Sequence, residues 1–126
     1  MQLDHTIVRI SQPSVSVPFY RDVLGLQDLG QMGPFHVLRV SPSLTLDLLP
    51  QPPQDSVHLA FSVDQATFDG VLQRLRAQGI AYGSDTFERD GATGPNAFGA
   101  RGMAESVYFY DPDGHNLELR VYPNAG

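Results

Sequence analysis

The chain predicts an α+β fold of two modules. Each is a strand, a helix and three further strands, at about 3–49 and 57–122 of a single 126-residue domain. Three observations lead there. Short apolar runs alternate with polar residues at the period of two that half-buried strands show. The order of strand-like and helix-like segments restarts after the stiff run Pro50-Gln51-Pro52-Pro53-Gln54. The first strand of each copy also carries a histidine, His5 in one and His58 in the other, at equivalent positions.

The first module opens with a strand at about 3–10. In the helix that follows, Ser14 or Ser16 can cap, Phe19, Val23 and Leu24 give an apolar face, and Gly25 can terminate. Pro18 lacks an amide hydrogen and is disfavoured deep in a helix, so the first turn is expected to begin late or be irregular. Strands near 27–32, 35–40 and 44–49 are separated by Gly33-Pro34 and Ser41-Pro42-Ser43. The second module starts with a strand at 57–63. Asp64 then caps a helix whose face is Phe68, Val71, Leu72 and Leu75, spaced for one side of a helix. Arg74 and Arg76 fall in its last turn, where the helix dipole favours cations, and Gly79 ends it. Strands near 80–88, 105–110 and 116–122 complete the module. The stretch 90–104 has four glycines and no periodic apolar face, and reads as a long loop over the site, with Phe98 and Arg101 free to meet a ligand.

Composition narrows the function. Hydrophobic content of 41% suits a packed domain, and a net charge of −6 argues against nucleic acid or an anionic membrane as partner. Cysteine is absent, so any metal must be held by nitrogen and oxygen. No apolar run approaches the ~20 residues that span a bilayer. The chain opens directly into a strand pattern, so a soluble cytoplasmic protein is expected. Phosphate-binding glycine-lysine loops, dinucleotide fingerprints and serine nucleophile elbows are all missing.

Three residues interrupt strand patterns in a way that suggests chemistry. In 57–63, Val57, Leu59, Phe61 and Val63 share one face, read as core, and His58, Ala60 and Ser62 the other, read as a cavity wall. In 117–122, Leu117, Leu119 and Val121 lie opposite Glu118, Arg120 and Tyr122. His5, His58 and Glu118 together can supply a divalent ion (Ni, Co, Zn, Mn or Fe) and leave coordination positions open for a substrate. Asp47 projects opposite Leu44, Leu46 and Leu48 and is a fourth candidate. Tyr108, on a face with Ser106 and Tyr110, can line the pocket. Asp111-Pro112-Asp113-Gly114 reads as a structural turn that delivers Glu118 in register, with His115 exposed beside it. His36, alone on its strand, is given no role.

Four stretches carry a resemblance. Leu3-Asp4-His5-Thr6-Ile7-Val8-Arg9, Phe19-Tyr20-Arg21-Asp22-Val23-Leu24-Gly25-Leu26, His58-Leu59-Ala60-Phe61-Ser62-Val63-Asp64 and Tyr110-Asp111-Pro112-Asp113-Gly114-His115-Asn116-Leu117-Glu118-Leu119 together resemble the vicinal oxygen chelate superfamily. That superfamily includes glyoxalase I, extradiol dioxygenases, fosfomycin-resistance thiol transferases and bleomycin-binding proteins. The resemblance implies paired βαβββ modules curled into a half-barrel cup, a small-molecule substrate and a homodimer. It implies metal ligation by His5, His58 and Glu118, and glyoxalase I-like isomerisation of a 2-oxoaldehyde–thiol adduct with glutathione or another small thiol. Glu118 or Asp47 is then the base, with Asp47 aligned to a glutamate one methylene longer. Arg9 resembles the first-strand arginine that binds a glutathione carboxylate, and Arg101 is its alternative. An extradiol dioxygenase, an epoxide-antibiotic thiol transferase and a metal-free drug-binding protein are the other readings.

Overall fold

The computed structural model describes residues 1–123 and divides the chain into two compact units, Met1–Ser56 and Val57–Gly126. In the first unit, β1 (His5–Ile10), β2 (Gln27–Met32), β3 (Phe35–Ser41) and β4 (Leu44–Pro50) form one sheet in the order β1-β4-β3-β2. β1 runs parallel to β4, placing His5 opposite Thr45, Ile7 opposite Asp47 and Arg9 opposite Leu49. Val8, Ile10, Leu38, Leu46 and Leu48 are buried, while His5, Ile7 and Arg9 point to the open side. Each buried aliphatic side chain contributes about 1.5–3 kcal/mol, enough to fix this register against a one-residue slip.

The first helix departs from expectation. It is α-helical over α1 (Pro13–Pro18), starts with Pro13 in its first turn and has Gln12 at the cap with no side-chain cap bond. Neither Ser14 nor Ser16 caps it. The irregularity that Pro18 imposes falls downstream instead. Lacking an amide hydrogen, Pro18 cannot continue the ladder, and the chain widens into a π-helical turn, Phe19–Val23, closed by Leu24 N–H donating to Phe19 O at 3.2 Å. The expected apolar face survives, with Phe19, Tyr20, Val23 and Leu24 buried, and Gly25 leaves the turn at φ 82°.

In the second unit, β5 (His58–Ser62), β6 (Tyr82–Gly83), β7 (Gly94–Asn96), β8 (Ala104–Tyr110) and β9 (Asn116–Val121) form a sheet ordered β5-β9-β8-β6, with β7 paired to β8. β5 and β9 are parallel, repeating the β1–β4 arrangement. α2 (Gln65–Ala77) follows the sequence reading closely. Asp64 caps it by accepting from Thr67 N–H at 2.7 Å, and Phe68, Val71, Leu72 and Leu75 are buried. Several expectations fail here. The strand foreseen at 80–88 shrinks to Tyr82–Gly83, and the loop foreseen at 90–104 contains β7. Glycine and proline in Gly94-Pro95-Asn96 hid a strand whose ladder partners come from β8 rather than from its own pattern. Val57, expected in the core, is exposed, although its amide donates to His115 Nδ1 and its carbonyl accepts from the Asn116 N–H.

The turn at Asp111 is built as read. The buried Asp111 carboxylate accepts from the N–H groups of Asp113 and His115, and Gly114 takes φ 83°. His115, expected exposed, is buried; its Nδ1 accepts from Val57 N–H at 3.1 Å, tying the start of β5 to the turn.

Candidate active site

β9 lies between β5 and β8, and every residue from Asn116 to Val121 is buried. Leu117, Leu119 and Val121 make one face apolar. The opposite face is polar and organised in cross-strand rows: Ala60, Glu118 and Tyr108 in one, Ser62, Arg120 and Ser106 in the next, and His58, Asn116 and Tyr110 at the far end. A carboxylate in this setting needs partners, since burying it alone is costly. Glu118, 4% exposed, has three. Its Oε1 lies 3.1 Å from His58 Nε2, while its Oε2 accepts from Ser106 Oγ at 3.1 Å and from Arg120 Nη1 at 2.5 Å. His58 is 43% exposed by side chain and keeps access to solvent. Its ring stacks on Tyr108 with centroids 6.1 Å apart. Burial, and then the Glu118 charge, push the Tyr108 phenol above its ordinary pKa.

Arg120 organises the rest of this face. Burial opposes its charge, but hydrogen bonds to Glu118 and Tyr122 and the Glu118 charge outweigh that and hold its pKa above the ordinary value. Its guanidinium also reaches Asn96 and the carbonyl of Gly102. Asn96 in turn donates its side-chain amide to the Tyr108 hydroxyl. Arg101 stands over the Tyr122 ring at 4.1 Å and donates to Ser62 Oγ at 2.9 Å. Next to Asn96 a cavity of about 500 Å³ opens, lined by Ser84, Asp85, Thr93, Asn96 and Phe98 among others.

The open face of the first sheet carries the other predicted residues. His5 is exposed, and its Nδ1 is 2.7 Å from Asp4 Oδ2, a hydrogen bond that raises its pKa. Asp47 accepts from Thr45 Oγ at 2.9 Å, and Arg9 donates to Gln51 Oε1 at 3.4 Å.

The structure therefore brings together His58, Glu118 and Tyr108, with Arg101 tied by Ser62 and Tyr122 to the same sheet. It carries His5, Asp47 and Arg9 on the first unit. Among the described residues, no three His, Asp or Glu side chains are gathered into a group that could hold a metal ion. Arg101 is anchored rather than free, Phe98 is 84% exposed, and Tyr108 is buried. Sequence reasoning placed Arg120 on the right face yet gave it no part. Its signal was available, since alternation puts an arginine two residues from a carboxylate on one side of a central strand. Asp4, the partner of His5, was likewise passed over. Among the described residues, no helix is long and apolar enough to cross a membrane.

Residues 2–119 match the model of the Glyoxalase/Bleomycin resistance protein/Dioxygenase superfamily. The chain is 32% identical over 126 residues to glutathione transferase FosA of Serratia marcescens, covering 94% of this chain and 79% of that protein. Among solved structures it resembles oxidase ChaP-H2 at 34% identity and TM-score 0.85, covering 98% of this chain and 94% of that one. Oxidase ChaP-H1 follows at 33% identity and TM-score 0.83, covering 100% and 99%.

Proposed function

We propose, since the chain belongs to the Glyoxalase/Bleomycin resistance protein/Dioxygenase superfamily, that it is a metal-dependent enzyme acting on a small molecule through two neighbouring oxygens. The observation that carries this reading is the pairing of His58 Nε2 with Glu118 Oε1 on the polar face of β5 and β9. One oxygen of the carboxylate is held by Arg120 and Ser106, and the other faces an accessible imidazole. With no cysteine in the chain, this nitrogen–oxygen donor set suits a divalent ion. His5 is the candidate ligand of the first unit in this reading. It occupies the position in β1 that His58 occupies in β5, and Asp4 fixes its Nδ1 as partners of ligating histidines do.

Two imidazoles and a carboxylate are the donor set of non-haem iron oxygenases, and the likeness to two oxidases at 33–34% identity favours oxidation of the substrate. Bound there, the ion would supply Lewis acidity and open positions for adjacent substrate oxygens. The chain's own residues have separate tasks. Glu118 and Asp47 are the carboxylates able to accept a proton. Tyr108 keeps its proton to higher pH than usual and holds Asn96 at the cavity. Arg9 and Arg101 offer guanidinium forks to an anionic group, and Phe98 an apolar surface at the cavity rim. A small-molecule substrate, a homodimer and a cytoplasmic setting belong to the same reading.

Transfer of a thiol such as glutathione is the second reading, favoured by the 32% identity to a glutathione transferase. Metal analysis of chelator-free protein, then assays with a catechol under oxygen, an epoxide with glutathione and a methylglyoxal hemithioacetal, separates these from glyoxalase I-like isomerisation. Oxygen-dependent turnover is expected. Turnover of the epoxide or the hemithioacetal alone would replace the oxidative reading, and stoichiometric metal retained by His58→Ala would remove the site.

A further inference from the structure

We propose that Arg120 is a positioning residue that joins the carboxylate of Glu118 to the loop 96–102, so that the loop and the carboxylate move as one unit. Three observations meet in this side chain. First, Arg120 is 4% exposed in the central strand, and its fork spans two structures. Nη1 donates to Glu118 Oε2 at 2.5 Å, to Ser106 Oγ at 3.3 Å and to Asn96 Oδ1 at 3.2 Å. Nη2 donates to the carbonyls of Asn96, 3.2 Å, and Gly102, 2.8 Å, which bracket the loop. Nε reaches the Tyr122 hydroxyl at 3.3 Å. Every guanidinium nitrogen is thus engaged, and the planar fork fixes the spacing between the loop ends and the carboxylate.

Second, the loop rests directly on this guanidinium. A Cβ added at Gly99 would lie 2.9 Å from Arg120 Cζ and 2.8 Å from the Tyr122 hydroxyl, and Gly99 takes φ +147°, which side chains disfavour. Third, the two oxygens of Glu118 are divided. Arg120 and Ser106 hold Oε2, and only Oε1 turns to His58. A lysine could neutralise Glu118 but could not also bracket the loop, because its single nitrogen lacks the fork.

One consequence rests on the proposed function: Glu118, held at Oε2 by Arg120, would keep those contacts while serving as a metal ligand, and a displaced loop would weaken metal binding. The test separates the two claims. Trypsin cuts after Arg101, inside the loop, and cleavage after Arg76 in α2 serves as the internal reference. In chelator-treated protein, Glu118→Gln and Arg120→Lys should each raise the relative cleavage rate after Arg101 about tenfold, and the double variant no more than the larger single effect. Cleavage at the parent rate in Glu118→Gln, or multiplying effects in the double variant, would overturn the coupling. Should Arg120→Lys fail to fold, Glu118→Gln and Gly99→Ala decide alone. Gly99→Ala, which lifts the loop, should weaken Mn²⁺ binding followed by electron paramagnetic resonance about tenfold. Unchanged Mn²⁺ affinity with the loop open counts against the coupling. Absence of Mn²⁺ uptake by the parent protein sinks the metal reading alone and leaves the cleavage arm to judge Arg120.

Discussion

The two sheets repeat one plan and spend it differently. In each, a first strand carrying a histidine runs parallel to a last strand carrying a carboxylate. Asp47 sits opposite Ile7 as Glu118 sits opposite Ala60. The neighbours diverge. The position that Arg120 holds in β9 is Leu49 in β4, and those of Tyr108 and Ser106 in β8 correspond to Val37 and Phe35 in β3. Among the described residues, Asp47 accepts from the nearby Thr45 hydroxyl, whereas Glu118 is enclosed by an arginine, a serine and a histidine. A repeated backbone register fixes where a carboxylate points. Its cross-strand neighbours decide whether it is a half-buried group or a fully buried, held one.

The largest test of this contrast is stability. Glu118→Ala leaves the Arg120 charge buried without its counter-ion and should lower unfolding free energy by about 3 kcal/mol. Asp47→Ala should stay within about 0.5 kcal/mol. Urea unfolding of the two variants checks it, and equal losses would erase the distinction between the sheets.

Metal titration sharpens the comparison at the histidines. His58→Ala should weaken Co²⁺ binding beyond the roughly 100-fold that outer partners account for. Asp4→Ala, which frees His5 Nδ1 while keeping the imidazole, should weaken it about tenfold. Identical affinities for parent and Asp4→Ala protein would show that His5 needs no such support.

The smallest effect concerns the helices, which differ in the same direction as the sheets: α1 has no side-chain cap, and α2 has Asp64. The bond from Thr67 lowers the Asp64 pKa below its ordinary 3.8. A lowered carboxylate pKa stabilises the folded state above the unfolded value, and that contribution fades as pH falls through the folded one. Asp64→Ala should therefore reduce the thermal midpoint at neutral pH, with the gap to the parent closing below about pH 4. A gap independent of pH would deny the ionised carboxylate its role.

Much of this was legible in the residues. Alternation in β1, β4 and β9 assigned His5, Asp47 and Glu118 to the faces they occupy, and 3.6-residue spacing with an N-cap delivered α2. What failed has physical causes. Gly94-Pro95-Asn96 has no strand pattern because β8 supplies its partners, and His115 looks exposed until the Val57 amide that it accepts from is known. The π-helical turn after Pro18 needed the downstream contacts of Leu24 and Leu26, whose amides reach back to Phe19 and Tyr20. The enclosure of the polar face of β9 was invisible because it depends on a loop folding back over it, and alternation describes only one strand at a time.

The close seat of Gly99 on the Arg120 guanidinium bears on redesign. Grafting the 96–102 segment onto another scaffold, or swapping in a foreign one, will fail unless the host supplies an arginine beneath it and a bare backbone at that point. The portable element is the segment with its strand, and Phe98, which projects outward beside the seated Gly99, is the position within it most open to substitution.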